Sequence, residues 1–184
     1  MKTYYSVYPE FVPKQVCETI RQLAQLTPSQ DATINSYNSA PSKEYRVSTV
    51  RWLNSNNNFL SPFLLWCAVT SNKDYWNFNI DPAITELQYT EYYSSQGGHF
   101  DWHDDVLLET NTHRKLSIVL QLSDPSEYTG GNFEMESRFN FNSVEFKKQG
   151  SILVFPSFLR HRVTPVTSGT RYSCVSWIHG PEWK

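Results

Sequence analysis

The sequence predicts a mainly β protein with helices at its N-terminal end, and three observations carry that prediction. First, beyond about residue 76 short runs rich in β-branched and aromatic residues follow one another: Leu87–Tyr93, Leu116–Leu122, Phe133–Met135, Val144–Phe146, Ile152–Phe155, Arg162–Val166 and Tyr172–Ile178. Second, turn signals separate them, at Gly97-Gly98, Asp124-Pro125, Gly130-Gly131, Gly150 and Ser168-Gly169. Third, the chain before that point carries helical spacing instead. Many short strands with turns at such intervals suit a double-sheet jelly roll, the double-stranded β-helix of cupin-like folds, preceded by helices.

Taken in order, Pro13 can open a helix, and Val16, Ile20, Leu23 and Ala24 follow at helical spacing. Residues 13–27 therefore read as an amphipathic helix that Pro28 stops. Residues 61–70, with Pro62 near the start, suggest a second and largely buried helix, although an apolar run so short also fits a strand. The stretch Asn54–Asn58 reads as a loop, and residues 106–115 as a short connection. With no repeat and no low-complexity linker, the expectation is one domain over 1–184. Residues 1–85 would give helical support and flanking strands, and 86–180 the jelly-roll core.

At 184 residues with 39% hydrophobic and 18% charged residues, the chain has a globular composition. A net charge of −2 gives no general pull toward nucleic acid or an acidic membrane, and disfavours nucleic acid as a partner. No run approaches the length of a membrane span, and the first residues lack a secretory apolar stretch. Cys17, Cys67 and Cys174 are odd in number and widely spaced, so they read as reduced core thiols of a cytoplasmic protein. Nothing in the sequence sets the oligomeric state.

The chemistry gathers in Asp101-Trp102-His103-Asp104-Asp105. On an extended strand residues i and i+2 share a face, so His103 and Asp105 can converge on one ion while Trp102 and Asp104 point away. A second His would complete the two-His-one-carboxylate set of non-haem Fe(II) sites, which leaves open positions for a chelating cosubstrate and O₂. His99-Phe100-Asp101 has the same spacing and the same parity, so periodicity alone leaves both pairs open. His161, after the buried-strand pattern of Ser151–Phe155, is the third ligand candidate; beside Arg160 and Arg162 it also reads as a surface histidine. His113 and His179 show no partner and read as surface residues. Trp102 and Trp177 read as core packing, with a substrate groove as the alternative.

Ten positions past His161 stands Arg171. A guanidinium inside a barrel is costly unless an anion meets it, and its planar fork matches a carboxylate with two parallel hydrogen bonds. The run Thr164–Arg171 reads as strand, turn, strand. A three-residue loop with Gly169 in the left-handed region would pair Thr167 with Arg171 and put His161 and Arg171 on one face; a two-residue turn would separate them.

These blocks together resemble the prolyl-4-hydroxylase-like branch of the Fe(II)/2-oxoglutarate oxygenases, especially its small bacterial and viral members. The likeness covers roughly residues 87–180. It rests on Tyr93-Ser-Ser-Gln-Gly-Gly-His-Phe100-Asp-Trp-His103-Asp-Asp105, on Leu116–Asp124 followed by Gly130-Gly131, on Gly150-Ser-Ile-Leu-Val-Phe-Pro156, and on His161-Arg-Val-Thr-Pro-Val-Thr-Ser-Gly-Thr-Arg171-Tyr. The resemblance favours His103 and Asp105 over the competing pair, because Phe100 occupies the family's aromatic position three before the first His. With His161 they become the iron ligands and the catalytic centre. Arg171 becomes the partner of the 2-oxoglutarate C5 carboxylate, where many members have Lys. Tyr93 matches a tyrosine that hydrogen-bonds the cosubstrate in some relatives and so becomes a cosubstrate contact, with a core or lip tyrosine the equal alternative.

The implied activity is hydroxylation of an unactivated C–H bond with release of succinate and CO₂. Its cofactors are Fe(II), 2-oxoglutarate and O₂, with ascorbate a candidate reductant. A prolyl residue of a peptide or protein is suggested by the family's name and by no residue here; a small molecule is the other option. Two rivals remain at this stage: a non-catalytic jelly-roll binding module, and a cupin-type metalloenzyme that does not use 2-oxoglutarate.

Overall fold

Alternation along the strands builds two facing sheets, seen in a computed structural model that describes residues 3–32, 44–55, 59–106, 112–136, 138 and 141–183. The larger sheet runs β1 (Ser6–Tyr8), β10 (Ile152–Pro156), β7 (Thr112–Gln121), β12 (Val166–Pro181), β5 (Leu87–Tyr93), β4 (Thr49–Leu53) and β2 (Gln30–Asp31), with β8 (Tyr128–Gly130) also on β12. The smaller runs β3 (Arg46–Val47), β6 (His99–His103), β11 (His161–Val163) and β9 (Phe133–Met135). Neighbours are antiparallel throughout. This is the jelly roll the sequence predicts.

Among the described residues three α-helices accompany the sheets: α1 (Lys14–Ala24), α2 (Ser61–Ser71), which runs on into a π-helical turn over Asn72–Trp76, and α3 (Ser143–Lys147). The strand alternative for residues 61–70 is thereby settled as helix. Cys17, Ile20 and Ala24 of α1 and Leu64, Cys67 and Ala68 of α2 pack on Leu116, Ile118, Leu120, Ile152, Val154 and Cys174. The alternate residues Val119, Leu153 and Phe155 face the second sheet and meet Phe133, Met135 and Val163. A central strand buried on both faces needs a nearly continuous apolar run, which is why β7 and β10 read so plainly in the sequence. Among the described residues no helix is long and apolar enough to cross a membrane.

Four expectations are corrected. Val144–Phe146 is not a strand but lies in α3, where the Asn142 side chain accepts a hydrogen bond from the Val144 N–H and Phe146 buries against Phe133. Ser168-Gly169 is no hairpin turn. β12 runs straight through it: a bulge against β8 falls between Val166 and Ser168, and Gly169, paired with Tyr128, takes φ 68° where a Cβ would collide with the Glu127 carbonyl. His161 and Arg171 therefore belong to different sheets, and the proposed pairing of Thr167 with Arg171 does not occur. Residues 112–115 of the supposed connection are strand β7, and 107–111 lie outside the described residues, as do 56–58 of the Asn-rich stretch. His113 is buried and accepts a hydrogen bond from the Trp183 N–H; His179 is half-buried in β12.

Candidate metal centre

Four side chains singled out in the sequence meet between the sheets. His103 ends β6, His161 opens β11, and the two stand directly opposite in register with their ring centroids 4.1 Å apart. Asp105 lies past the end of β6, where its N–H donates to the Ser157 carbonyl at 2.8 Å. His103 Nε2 is 3.8 Å from Asp105 Oδ1, and His161 Nε2 is 3.6 Å from Asp105 Oδ2. One donor atom from each of the three lies within 4.8 Å of the others, a spacing one ion can bridge.

Hydrogen bonds aim these donors. His103 Nδ1 lies 2.7 Å from the Asp101 carbonyl, and His161 Nδ1 lies 2.9 Å from the Leu159 carbonyl. A carbonyl only accepts, so each Nδ1 carries the proton and each Nε2 offers its lone pair to the site. Ser117 Oγ donates to Asp105 Oδ2 at 2.6 Å and sits 3.0 Å from Ser157 Oγ. Burial holds His103 well below the ordinary imidazole pKa, with His161 beside it adding to the effect. Burial alone would raise Asp105, but the two imidazoles and the Ser117 hydroxyl outweigh it and keep the carboxyl below its usual range. Two Nε2 lone pairs and a carboxylate thus make a donor trio that suits a divalent cation. Removing the hydroxyl that orients Asp105 should matter: Ser117→Ala is expected to weaken divalent-metal binding about tenfold in an anaerobic titration. An unchanged affinity would mean that the backbone contact to Ser157 alone positions the carboxylate.

The competing pair is separated by a feature that periodicity hides. Val163 pairs with Phe100 while His161 pairs with His103, so β6 carries an extra residue between them. Phe100 and His103 consequently share a face and stack at 3.5 Å, and His99 turns the other way. Both His99 ring nitrogens lie against carbonyls, those of Gly97 and Glu44, and Asp101 is exposed with its Oδ1 accepting from the Trp102 N–H. Trp102, opposite Arg162 in that bulge, packs with the Arg162 guanidinium 4.8 Å from its ring, on the face away from His161 as alternation predicts, and also borders the cavity. Trp177 also lines the cavity, under the Arg114 guanidinium at 3.6 Å.

Arg171 reaches the same cavity of about 630 Å³ from β12 on the opposite sheet. It is 2% exposed, no carboxylate among the described residues pairs with it, and its Nη2 is buried without a hydrogen-bond partner. A buried, unpaired guanidinium facing a cavity fits a ligand carboxylate. Tyr93 is not brought to this site. It shares a face of β5 with Glu91, away from the cavity, and burial with Glu91 alongside pushes its phenol up to about 12. The neighbour on the inward face is Tyr92, whose ring lies 5.6 Å from the Arg171 guanidinium. Sequence reasoning also missed Ser117 and Arg46. Ser117 carried a signal, a polar residue at an inward position of an apolar run; Arg46 carried none.

A jelly roll with two histidines, a carboxylate and an inward arginine defines a cupin-like, cosubstrate-using metal site. Residues 87–179 match the family described as the 2OG-Fe(II) oxygenase superfamily, and the chain belongs to it. Fe(II) and 2-oxoglutarate are the cofactors that membership brings. A PKHD-type hydroxylase of Prochlorococcus marinus is 40% identical over 102 residues, 55% of this chain and 45% of that protein. Another, from Synechococcus sp. (strain CC9605), is 40% identical over 112 residues, 60% of this chain and 49% of that protein. The match therefore spans about half the length of these relatives. Among solved structures, a viral collagen prolyl hydroxylase from Paramecium Bursaria Chlorella virus-1 superposes with a TM-score of 0.71 at 17% identity, covering 97% of both chains. A prolyl hydroxylase in complex with a hypoxia inducible factor peptide fragment, from Trichoplax adhaerens, gives 0.75 at 15% identity, covering 97% of this chain and 84% of that one. At such identities the likeness is one of fold.

Proposed function

We propose that this chain is an Fe(II)- and 2-oxoglutarate-dependent oxygenase that hydroxylates an unactivated C–H bond and converts the cosubstrate to succinate and CO₂. One observation carries the reading: a buried guanidinium with no anion of its own faces the cavity that holds the His103, Asp105 and His161 donors. A binding module would have no use for that pairing, and a cupin-type enzyme without 2-oxoglutarate would leave Arg171 uncompensated.

His103, Asp105 and His161 would hold the iron, and Arg171 would take the C5 carboxylate of 2-oxoglutarate. Bound there, the two supply the oxidising chemistry. The chain's part is to aim and to exclude water. The Asp101 and Leu159 carbonyls fix the imidazole tautomers, and the Ser117 hydroxyl holds the carboxylate. Phe100 covers His103, while Phe133 and Phe155 flank His161 at 5.3 and 4.8 Å, so the ligand set is walled by rings. The cosubstrate contact expected of Tyr93 passes in this reading to Tyr92.

We take the substrate to be a prolyl residue of a peptide. Support comes from the names of the solved neighbours and from a second hollow that adjoins the cavity mouth across Trp102 and Arg160, giving room for an extended chain. The three cysteines, all buried and free, support a reducing compartment such as the cytoplasm. Anaerobic titration with Fe(II) and 2-oxoglutarate is expected to produce the weak visible metal-to-ligand charge-transfer band. Succinate release with proline-containing peptides then tests the substrate. Absence of the band ends the cofactor reading; a band without peptide-stimulated succinate redirects the search to small acceptors.

A further inference from the structure

Among the described residues, pairing the arginines of the cavity with anions leaves one over. Of its lining arginines, Arg114 pairs with Glu86 at 2.9 Å and Arg160 with Glu136 at 3.7 Å. Arg171 would be met by the cosubstrate, and Asp105 by the metal. Arg46 remains. Its Nε donates to the Ser48 hydroxyl at 2.9 Å, its Nη2 is buried without a partner, and among the described residues no carboxylate pairs with it. It stands on β3, the edge strand of the smaller sheet, and its guanidinium lies 4.3 Å from the Phe100 ring, which in turn stacks on His103. A positive group is thus held one ring's thickness from a metal ligand, in the sheet across from Arg171.

Burial depresses the charged form of Arg46, and the nearby Asp105, which partly offsets that, would give its own charge to the metal. A partly buried guanidinium kept without an anion is tolerated when a ligand brings one. We propose that Arg46 is a second anion site, used by the substrate, and that the molecule hydroxylated here carries a carboxylate close to the reacting C–H bond. The inference rests on the Fe(II)/2-oxoglutarate reading and narrows its substrate class. The carboxylate could belong to a small acid or to an acidic side chain or C-terminus of a peptide, and the test separates these sources.

The protein, loaded anaerobically with Fe(II) and saturating 2-oxoglutarate, is titrated with acid and amide pairs while the charge-transfer band is followed. One arm uses L-proline against L-prolinamide. Others use proline-containing peptides with Glu against Gln beside the proline, and with a free against an amidated C-terminus. At least one acid is expected to bind about tenfold or more tightly than its amide, the scale of a charge-assisted contact. Arg46→Met should erase that preference while 2-oxoglutarate affinity stays within about twofold, and Arg46→Lys, which keeps the charge without the fork, should retain part of it. A purely structural role, stacking on Phe100, would instead disturb the iron band and spare the acid preference. No acid preference in any pair, a preference that survives both variants, or loss of 2-oxoglutarate binding in Arg46→Met would each overturn the assignment. Failure of the wild-type protein to form the band would sink the cofactor reading and this one together, whereas a normal band with no acid preference sinks this one alone.

Discussion

Replacing His103 or Asp105 with alanine is expected to abolish the band formed by Fe(II) and 2-oxoglutarate, whereas His99→Ala leaves it intact. Loss of an outer hydrogen-bond partner of a ligand already costs about 10–100-fold in metal affinity, so loss of a ligand itself should exceed about a hundredfold. Turnover should fall with it to background. The contrast with His99 is the informative part, because both histidines sit in the same His-x-Asp spacing. His99 keeps its ring nitrogens on two backbone carbonyls and lies on the far side of the β6 bulge, so its removal disturbs no donor at the cavity. The reverse pattern, a band lost in His99→Ala and kept in His103→Ala, would reassign the ligands to the first pair and contradict the register of β6 on β11.

That bulge also marks the limit of what could be read from the residues alone. The buried strands β7, β10 and β12 and both large helices were legible, because burial on one or two faces writes a periodic apolar pattern. The triad and Arg171 were legible as residue types whose presence in a β core needs a reason. Their mutual geometry was not. An extra residue in β6 changes which side chains face inward without leaving a compositional mark, so the two His-x-Asp pairs could not be told apart. Tyr93 failed for a related reason: spacing from His103 was counted along a chain that changes direction at Gly97, whereas the alternation of β5 makes Tyr92 the inward residue. The hairpin at Ser168-Gly169 failed because a left-handed glycine serves a close backbone approach in a continuous strand, here to the Glu127 carbonyl, as well as it serves a turn. Arg46 was invisible, since one arginine in a short edge strand looks like any solvated charge.

Arg171 allows a test in which stability and binding should move in opposite directions. Arg171→Met replaces a buried cation with an apolar chain of similar length. In the absence of ligand the wild-type guanidinium is desolvated with one nitrogen unpartnered, so the variant should be as stable or more stable, by up to about 1–4 kcal/mol if exchanges of buried ion pairs are a guide. Affinity for 2-oxoglutarate should fall, because truncating one member of a buried charge pair costs about 2–5 kcal/mol, roughly 30-fold to several thousandfold in Kd. At a ligand concentration near 100 Kd the wild-type protein gains about 2.7 kcal/mol from binding, and a variant weakened about 30-fold or more should gain about 0.9 kcal/mol or less. Thermal unfolding with and without 2-oxoglutarate, in the presence of a redox-inert divalent metal, should therefore show a much smaller ligand-induced rise in the variant. The variant melts at or above the wild type when both are free of 2-oxoglutarate, and that lead shrinks by roughly 2 kcal/mol or more, or reverses, at a concentration that saturates the wild type. Arg171→Lys should fall between, keeping a point charge without the two parallel hydrogen bonds. A variant that is destabilised without ligand yet binds 2-oxoglutarate normally would show that the guanidinium serves the fold and that the far carboxylate is met elsewhere, with Arg46 the next residue to examine.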